Sequence, residues 1–225
     1  MLIEPDLLTT GTRLVTFGLS SLVLVIATIS APWRTWLDDR ERQWVWLASL
    51  ALLVAVWSMK AGITPGLSVR FLMVTALTLM HGWPLAVVGG AMVLAVLALA
   101  GQSAWGSFGA DLLCMAIVPA VVTARLHELV HARLPHNYFV YFFVTVFVGS
   151  ALAYNLAGLT RLALLAASGS LAAARVGAEY FAVLPLMSFG EAAANGMVMA
   201  MAVVYRPKWV MSFDDRLYLK RPRDN

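Results

Sequence analysis

The 225 residues are 61% hydrophobic and 12% charged, with 16 Lys and Arg against 12 Asp and Glu and a formal net charge of +4. So few charges cannot cover a water-facing surface, which excludes a soluble domain, and one cysteine, Cys114, excludes an internal disulfide framework or a cysteine-cluster metal site. No basic stripe interleaves with aromatic residues, so the excess positive charge gives no support to nucleic-acid binding.

About 20 apolar residues cross a bilayer, and the chain offers a series of such runs. Residues 1–11 form a short acidic start with Glu4 and Asp6, which is not the basic start of a secretory signal. A first span is expected over Leu14–Ala31, followed by a charged link from Pro32 that carries Arg34, Arg40 and Arg42. The second span is Trp44–Met59, with Trp44, Trp46 and Trp57 near its ends, where interfacial indoles are favoured. Lys60 to Pro65 reads as a turn. The third span is Leu67–Met80, and the fourth, after the Gly82-Trp83-Pro84 turn, is Leu85–Ala100. Gly101 to Gly109 forms a loop without Lys or Arg. The fifth span is Ala110–Ala124, the sixth Tyr138–Leu156 and the seventh Tyr180–Tyr205. Residues 160–179 are apolar but broken by Arg161, Arg175 and Glu179, and read as an outer-face helix or a re-entrant piece.

The fold class is therefore all-α: one polytopic membrane domain over residues 1–225 with about seven transmembrane helices. Lys and Arg concentrate in the link after the first span, in the link after the fifth and in the tail 206–225. The positive-inside rule then puts the N-terminus outside and the basic tail in the cytoplasm, near anionic lipid. An eighth crossing would place the arginine-rich first link outside. No phosphate loop is present, so ATP hydrolysis by that route is excluded.

The informative residues are the polar ones inside the apolar runs. Arg70, at the start of the third span, either snorkels to headgroups or points into an outer cavity, where Glu4, Asp6 or Glu179 could pair with it. Glu191 and Asn195 are four residues apart and share one helical face among small residues. They either clamp helix packing or serve substrate and coupling, with Asn155 as a candidate packing partner. His127-Glu128-Leu129-Val130-His131 matches the H-E-x-x-H pattern of zinc peptidases. It falls in a polar link, and the nearest upstream carboxylate, Asp111, is about 20 Å away along a helix at 1.5 Å per residue. A solvated histidine pair is the simpler reading. His81 and His136 read as isolated interfacial residues, and the methionines Met187, Met197, Met199, Met201 and Met211 as packing residues.

Several stretches together carry a family resemblance. They are Ile63-Thr64-Pro65-Gly66 leading into the third span, the Gly82-Trp83-Pro84 turn, and Leu134-Pro135 before the aromatic run Tyr138–Phe143. To these are added Phe189-Gly190-Glu191-Ala192 through Gly196-Met197, and the tail Tyr205-Arg206-Pro207-Lys208-Trp209-Val210 with Phe213-Asp214-Asp215-Arg216. In this order they are similar to the membrane substrate-binding (S) components of energy-coupling-factor ABC transporters of the CbiM/NikM cobalt/nickel type, in a divergent bacterial subgroup. The resemblance covers most of the chain. It implies a multi-pass protein of the bacterial inner membrane that captures substrate outside. The substrate then passes through a coupling (T) membrane protein driven by two ABC ATPases.

The resemblance further implies a transition metal ion as substrate, no covalently bound cofactor, and a site built from the N-terminus and the start of the third span. By this correspondence the substrate-binding positions are Met1, Leu2 and Arg70. Family members have histidines at the second residue and at the third-span position; here these are Leu2 and Arg70. Arginine carries a permanent positive charge and no lone pair for a metal, so the fold is expected to be kept while the substrate changes. An anion, a chelated metal or no substrate at all each fit that expectation.

Overall fold

The computed structural model describes residues 3, 5–59, 61–64, 67–169, 171–213 and 218. It is a helical bundle. Helix α1 (Thr10–Ser30) starts at Thr9, whose hydroxyl accepts the Thr12 N–H, and a short α2 (Trp33–Leu37) turns the chain. Helix α3 (Arg40–Ser58) is capped in the same way by Asp39. A two-stranded antiparallel hairpin follows, β1 (Ala61–Thr64) and β2 (Leu67–Val69). Then come α4 (Val74–His81), only eight residues long, and α5 (Trp83–Leu99), with Pro84 in its first turn. Three long helices complete the bundle: α6 (Trp105–Arg133), α7 (Tyr138–Ala167) and α8 (Leu171–Tyr205).

Two of the long helices are not regular throughout. Helix α6 is π-helical over Leu113–Ile117 and α7 over Tyr141–Val148. Such widened turns are found most often at functional sites.

Among the described residues, four helical segments are long and apolar enough to cross a bilayer: α1, α6, α7 and the Tyr180–Tyr205 part of α8. Helix α6 is the most buried of these and α1 the least. On α1, Leu14, Val15, Leu22 and Ile29 lie exposed. An apolar face turned away from the protein is what lipid requires. The main core joins Trp46, Leu50, Leu53 and Trp57 of α3 to Leu94 and Leu97 of α5 and Met115 of α6. Gly109 lets α1 approach closely: a Cβ there would sit 2.5 Å from the Cα of Phe17, and the Ser20 hydroxyl donates to the Gly109 carbonyl at 2.6 Å.

The bundle has two distinguishable ends. At the head end, Ile3 and Leu8 pack on Ala110 of α6 and Leu165 of α7. At the tail end, the Met211 and Ser212 N–H groups donate to the Met80 and Leu79 carbonyls, and the Trp209 indole donates to Glu41. Among the described residues, α1, α3, Leu67–His81, α5, α6, α7 and α8 pass in turn between these ends.

The third of those passes corrects the sequence reading. Leu67–Met80 is not one membrane-spanning helix but a strand, an irregular connector (Arg70–Met73) and the short α4. Residues 160–179 are not a separate element. Helix α7 continues to Ala167, the chain turns through Ser168 and Gly169, and α8 begins at Leu171. Trp46 and Trp57 are buried rather than interfacial, donating to the Leu85 and Leu72 carbonyls; Trp44 is exposed. His81 is buried beside Ser49.

Candidate functional site

A helix that begins inside a bundle leaves its first N–H groups without partners, and lipid supplies none. Helix α4 begins this way. The residue before it, Met73, sits at φ 55, a left-handed conformation uncommon for a side-chain-bearing residue. Glu191 and Asn195, on the inner face of α8, supply the missing acceptors. The Glu191 carboxylate accepts the Leu72 N–H at 2.7 Å and the Met73 N–H at 2.6 Å. Asn195 Oδ1 accepts the Ala76 N–H at 2.8 Å, and its Nδ2 donates back to the Glu191 carboxylate at 2.8 Å and to the Glu191 carbonyl at 2.9 Å. The pair four residues apart is thus a cap supplied by another helix. This geometry clamps the start of α4 to α8. Asn155 stands apart from it: its amide donates to the Ala151 carbonyl on its own helix at 2.8 Å.

The connector held by this clamp carries Arg70. Its guanidinium is buried, and Nη1 donates to the Trp57 carbonyl at the end of α3. Nε has no hydrogen-bond partner among the described residues. The charges that act on it are Asp111 and, with the same sign, Arg161. Of the expected partners, Asp6 is exposed, while Glu4 and the Glu179 side chain lie outside what the structure describes.

Asp111 is fully buried. It accepts the Ile3 N–H at 2.8 Å and the Ser107 hydroxyl at 2.9 Å, so the N-terminal segment is tethered into the bundle from its third residue. Met1 and Leu2 lie outside the described residues. Arg161 is buried with its guanidinium 5.6 Å from the centre of the Tyr180 ring. A small cavity lies between these elements, lined by Leu72, Cys114, Met115, Tyr154, Arg161 and Tyr180. Cys114 and Met115 belong to the π-helical turn of α6. Gly158 permits the contact between α7 and α8 here, since a Cβ would overlap Leu184.

The site is therefore a buried group of opposite charges, Arg70 and Arg161 with Asp111 and Glu191, around an N-terminal tether. Asp111 and Arg161 escaped the sequence reading as site residues. The available signal was the charge itself: each interrupts an apolar run, and a charge at membrane depth is expensive without a function or a partner. Among the described residues no three His, Cys, Asp or Glu side chains stand together as a ready metal cage.

The H-E-x-x-H segment lies on the last turns of α6, not in a separate link. The His127 and His131 rings are 6.1 Å apart. Glu128, the residue that a peptidase would use as base, is exposed and paired with Arg125 at 2.9 Å. His136 is not isolated: its ring lies 4.5 Å from that of His131.

Comparison with known proteins gives a consistent result. The family model for CbiM, described as the cobalt uptake substrate-specific transmembrane region, matches residues 3–209. No curated protein matches the sequence. Among solved structures, the crystal structure of a truncated transition metal transporter superposes with a TM-score of 0.75 at 18% identity, covering 91% of this chain and 99% of that one. A second crystal structure of a transition metal transporter gives a TM-score of 0.72 at 18% identity over 89% and 91%. At such identity these likenesses speak for the fold.

Proposed function

The chain belongs to the CbiM family of cobalt-uptake substrate-specific transmembrane regions, and from this premise we propose that it is the substrate-capturing membrane component of a transition-metal importer. The observation that carries the reading is the family match over residues 3–209 on a fold whose N-terminal segment is drawn into the bundle by the bond from Ile3 to Asp111. In this reading the protein is a multi-pass component of a bacterial inner membrane and is not itself an enzyme. The exposed, ion-paired Glu128 is in keeping with a non-catalytic histidine segment. Capture occurs at the head end, with Met1, Leu2 and Arg70 facing the cargo. Energy comes from a coupling membrane protein and ABC ATPases, since this sequence carries no phosphate loop of its own.

Arg70 sets the cargo's chemistry. A guanidinium offset by one carboxylate does not ligate a bare divalent ion, but it suits a metal that arrives with anionic ligands. The connector Arg70–Met73 is non-helical and held by Glu191, so it is the piece that would yield to a cargo larger than the cavity.

The test is a titration of the purified chain with Co²⁺ and Ni²⁺ in wild type and Arg70→His. The imidazole is expected to strengthen binding of the free ions by about tenfold or more, the scale of a ligand-shell effect. Unchanged binding removes Arg70 from the site. Copurification with a coupling protein and ATPases tests the assembly.

A further inference from the structure

The tail end of the bundle carries a recess that takes no part in the head-end site. It lies between α2, the start of α3, the junction of α4 and α5, and the segment after α8. Buried Met80 and Leu85 form its floor, half-buried Trp36 and Trp209 its walls, and exposed Arg42 and Lys208 its rim. The space, mouth included, is about 440 Å³. Both indoles are held in place. Trp36 packs edge-on between Trp33 and Trp46, with ring centres 5.8 and 5.4 Å away, and the Trp209 N–H donates to Glu41 at 2.7 Å. The rim is cationic. Asp39 lies 3.1 Å from Arg42 Nε, but both side chains are exposed, and such a pair is weak in water. Lys208 has no ion pair among the described residues. Arg206 adds a further charge 5.8 Å from the centre of the Trp209 ring.

We propose that this recess binds an anionic phospholipid of the cytoplasmic leaflet, with its phosphate between Arg42 and Lys208 and the start of an acyl chain against Met80 and Leu85. The inference rests on the reading that the tail end faces the cytoplasm. An apolar floor, indole walls and a basic rim repeat the order of one leaflet, from acyl chain through interface to headgroup. Basic pockets between membrane helices on the cytoplasmic side suit anionic headgroups. A guanidinium whose Nε is turned to Asp39 still offers its two terminal nitrogens to phosphate oxygens, and Lys208 adds a point charge. A zwitterionic lipid brings its own cation to the same rim, so net charge decides the choice. The site also has a mechanical consequence. Met80 and Met211 both line the recess, and the Met211 N–H donates to the Met80 carbonyl. A lipid seated there covers the joint that ties the tail to α4.

The test uses the purified full-length chain in neutral detergent, titrated with phosphatidylglycerol or with phosphatidylcholine of the same acyl chains. Bound lipid is counted by native mass spectrometry, and the melting temperature is followed in parallel. Wild type is expected to retain phosphatidylglycerol and to melt higher with it, and to do neither with phosphatidylcholine. The double variant Arg42→Gln, Lys208→Gln is expected to bind phosphatidylglycerol about 30-fold more weakly, the scale of two basic side chains at an anionic surface. A control, Arg34→Gln with Arg133→Gln, removes two exposed cations outside the recess and is expected to bind as wild type does. Equal binding of the two lipids, wild-type affinity in the Arg42 and Lys208 variant, or the same loss in the control overturns the proposal. So does inorganic phosphate that reproduces the whole effect, since the recess would then serve a free anion. The measurement is blind to orientation and leaves Arg70 untouched, so its failure is distinct from failure of the head-end reading.

Discussion

Glu191 accepts two backbone N–H groups and one side-chain amide. Glutamine has the same shape but a single acceptor oxygen, and its NH₂ would face a donor. Glu191→Gln is therefore expected to strip one connector N–H of its partner and cost about 2 kcal/mol, the scale of a hydrogen bond to a charged group. A lowered melting temperature in detergent, with Asn195→Ala having a smaller effect in the same direction, checks this. An unchanged melting temperature in Glu191→Gln would mean that the connector does not depend on the carboxylate. That Glu191 and Asn195 share a face was readable from their spacing. Their partners were not, because backbone N–H groups leave no mark in a sequence. The tie of Asp111 to the N-terminus was hidden for the same reason: it runs through the backbone of Ile3.

At the scale of elements, α4 is the unusual one. It is held at both ends by a single part of the chain. Helix α8 caps its start through Glu191 and Asn195, and the continuation of α8 caps its end through Met211 and Ser212. A displacement of α8 and the tail therefore acts on α4, and through the connector on Arg70. Deleting residues 210–225 is expected to speed amide hydrogen exchange across Val74–His81 while leaving the head-end part of α6, Ala110–Ile117, unchanged. Equal exchange in α4 would show that the tail does not restrain it. The broken span was misread as a helix because its apolar residues suit a strand, a connector and a helix equally well. Length held the warning: the 14 residues of Leu67–Met80 would reach only about 21 Å as a helix, short of a hydrocarbon core about 30 Å thick.

At the scale of the molecule, the apolar composition revealed the compartment and fold class, and most span positions followed. The ends of spans did not, because the long helices pass beyond the apolar window: α6 carries Arg125 and Arg133 on its last turns, and α7 carries Arg161 past the expected end at Leu156. Arg161 is buried there with its guanidinium over the Tyr180 ring. The same placement bears on orientation. Exposed Arg34, Arg40, Arg125, Arg133 and Arg206 belong to the tail end. Toward the head, Arg70 and Arg161 are buried and do not count as loop charges, which leaves Arg175 exposed at the start of α8 and Arg13 half-buried. The positive-inside rule applied to the exposed set favours the proposed orientation, with the tail end in the cytoplasm. Cys114 is buried, so introduced cysteines can report the sides. In intact cells a membrane-impermeant maleimide is expected to label Ser168→Cys, on the turn between α7 and α8, and to reach Ala132→Cys, near the end of α6, only after the membrane is opened. The reverse pattern would invert the protein and place Arg70 on the cytoplasmic side, where capture of an external cargo by that residue is impossible.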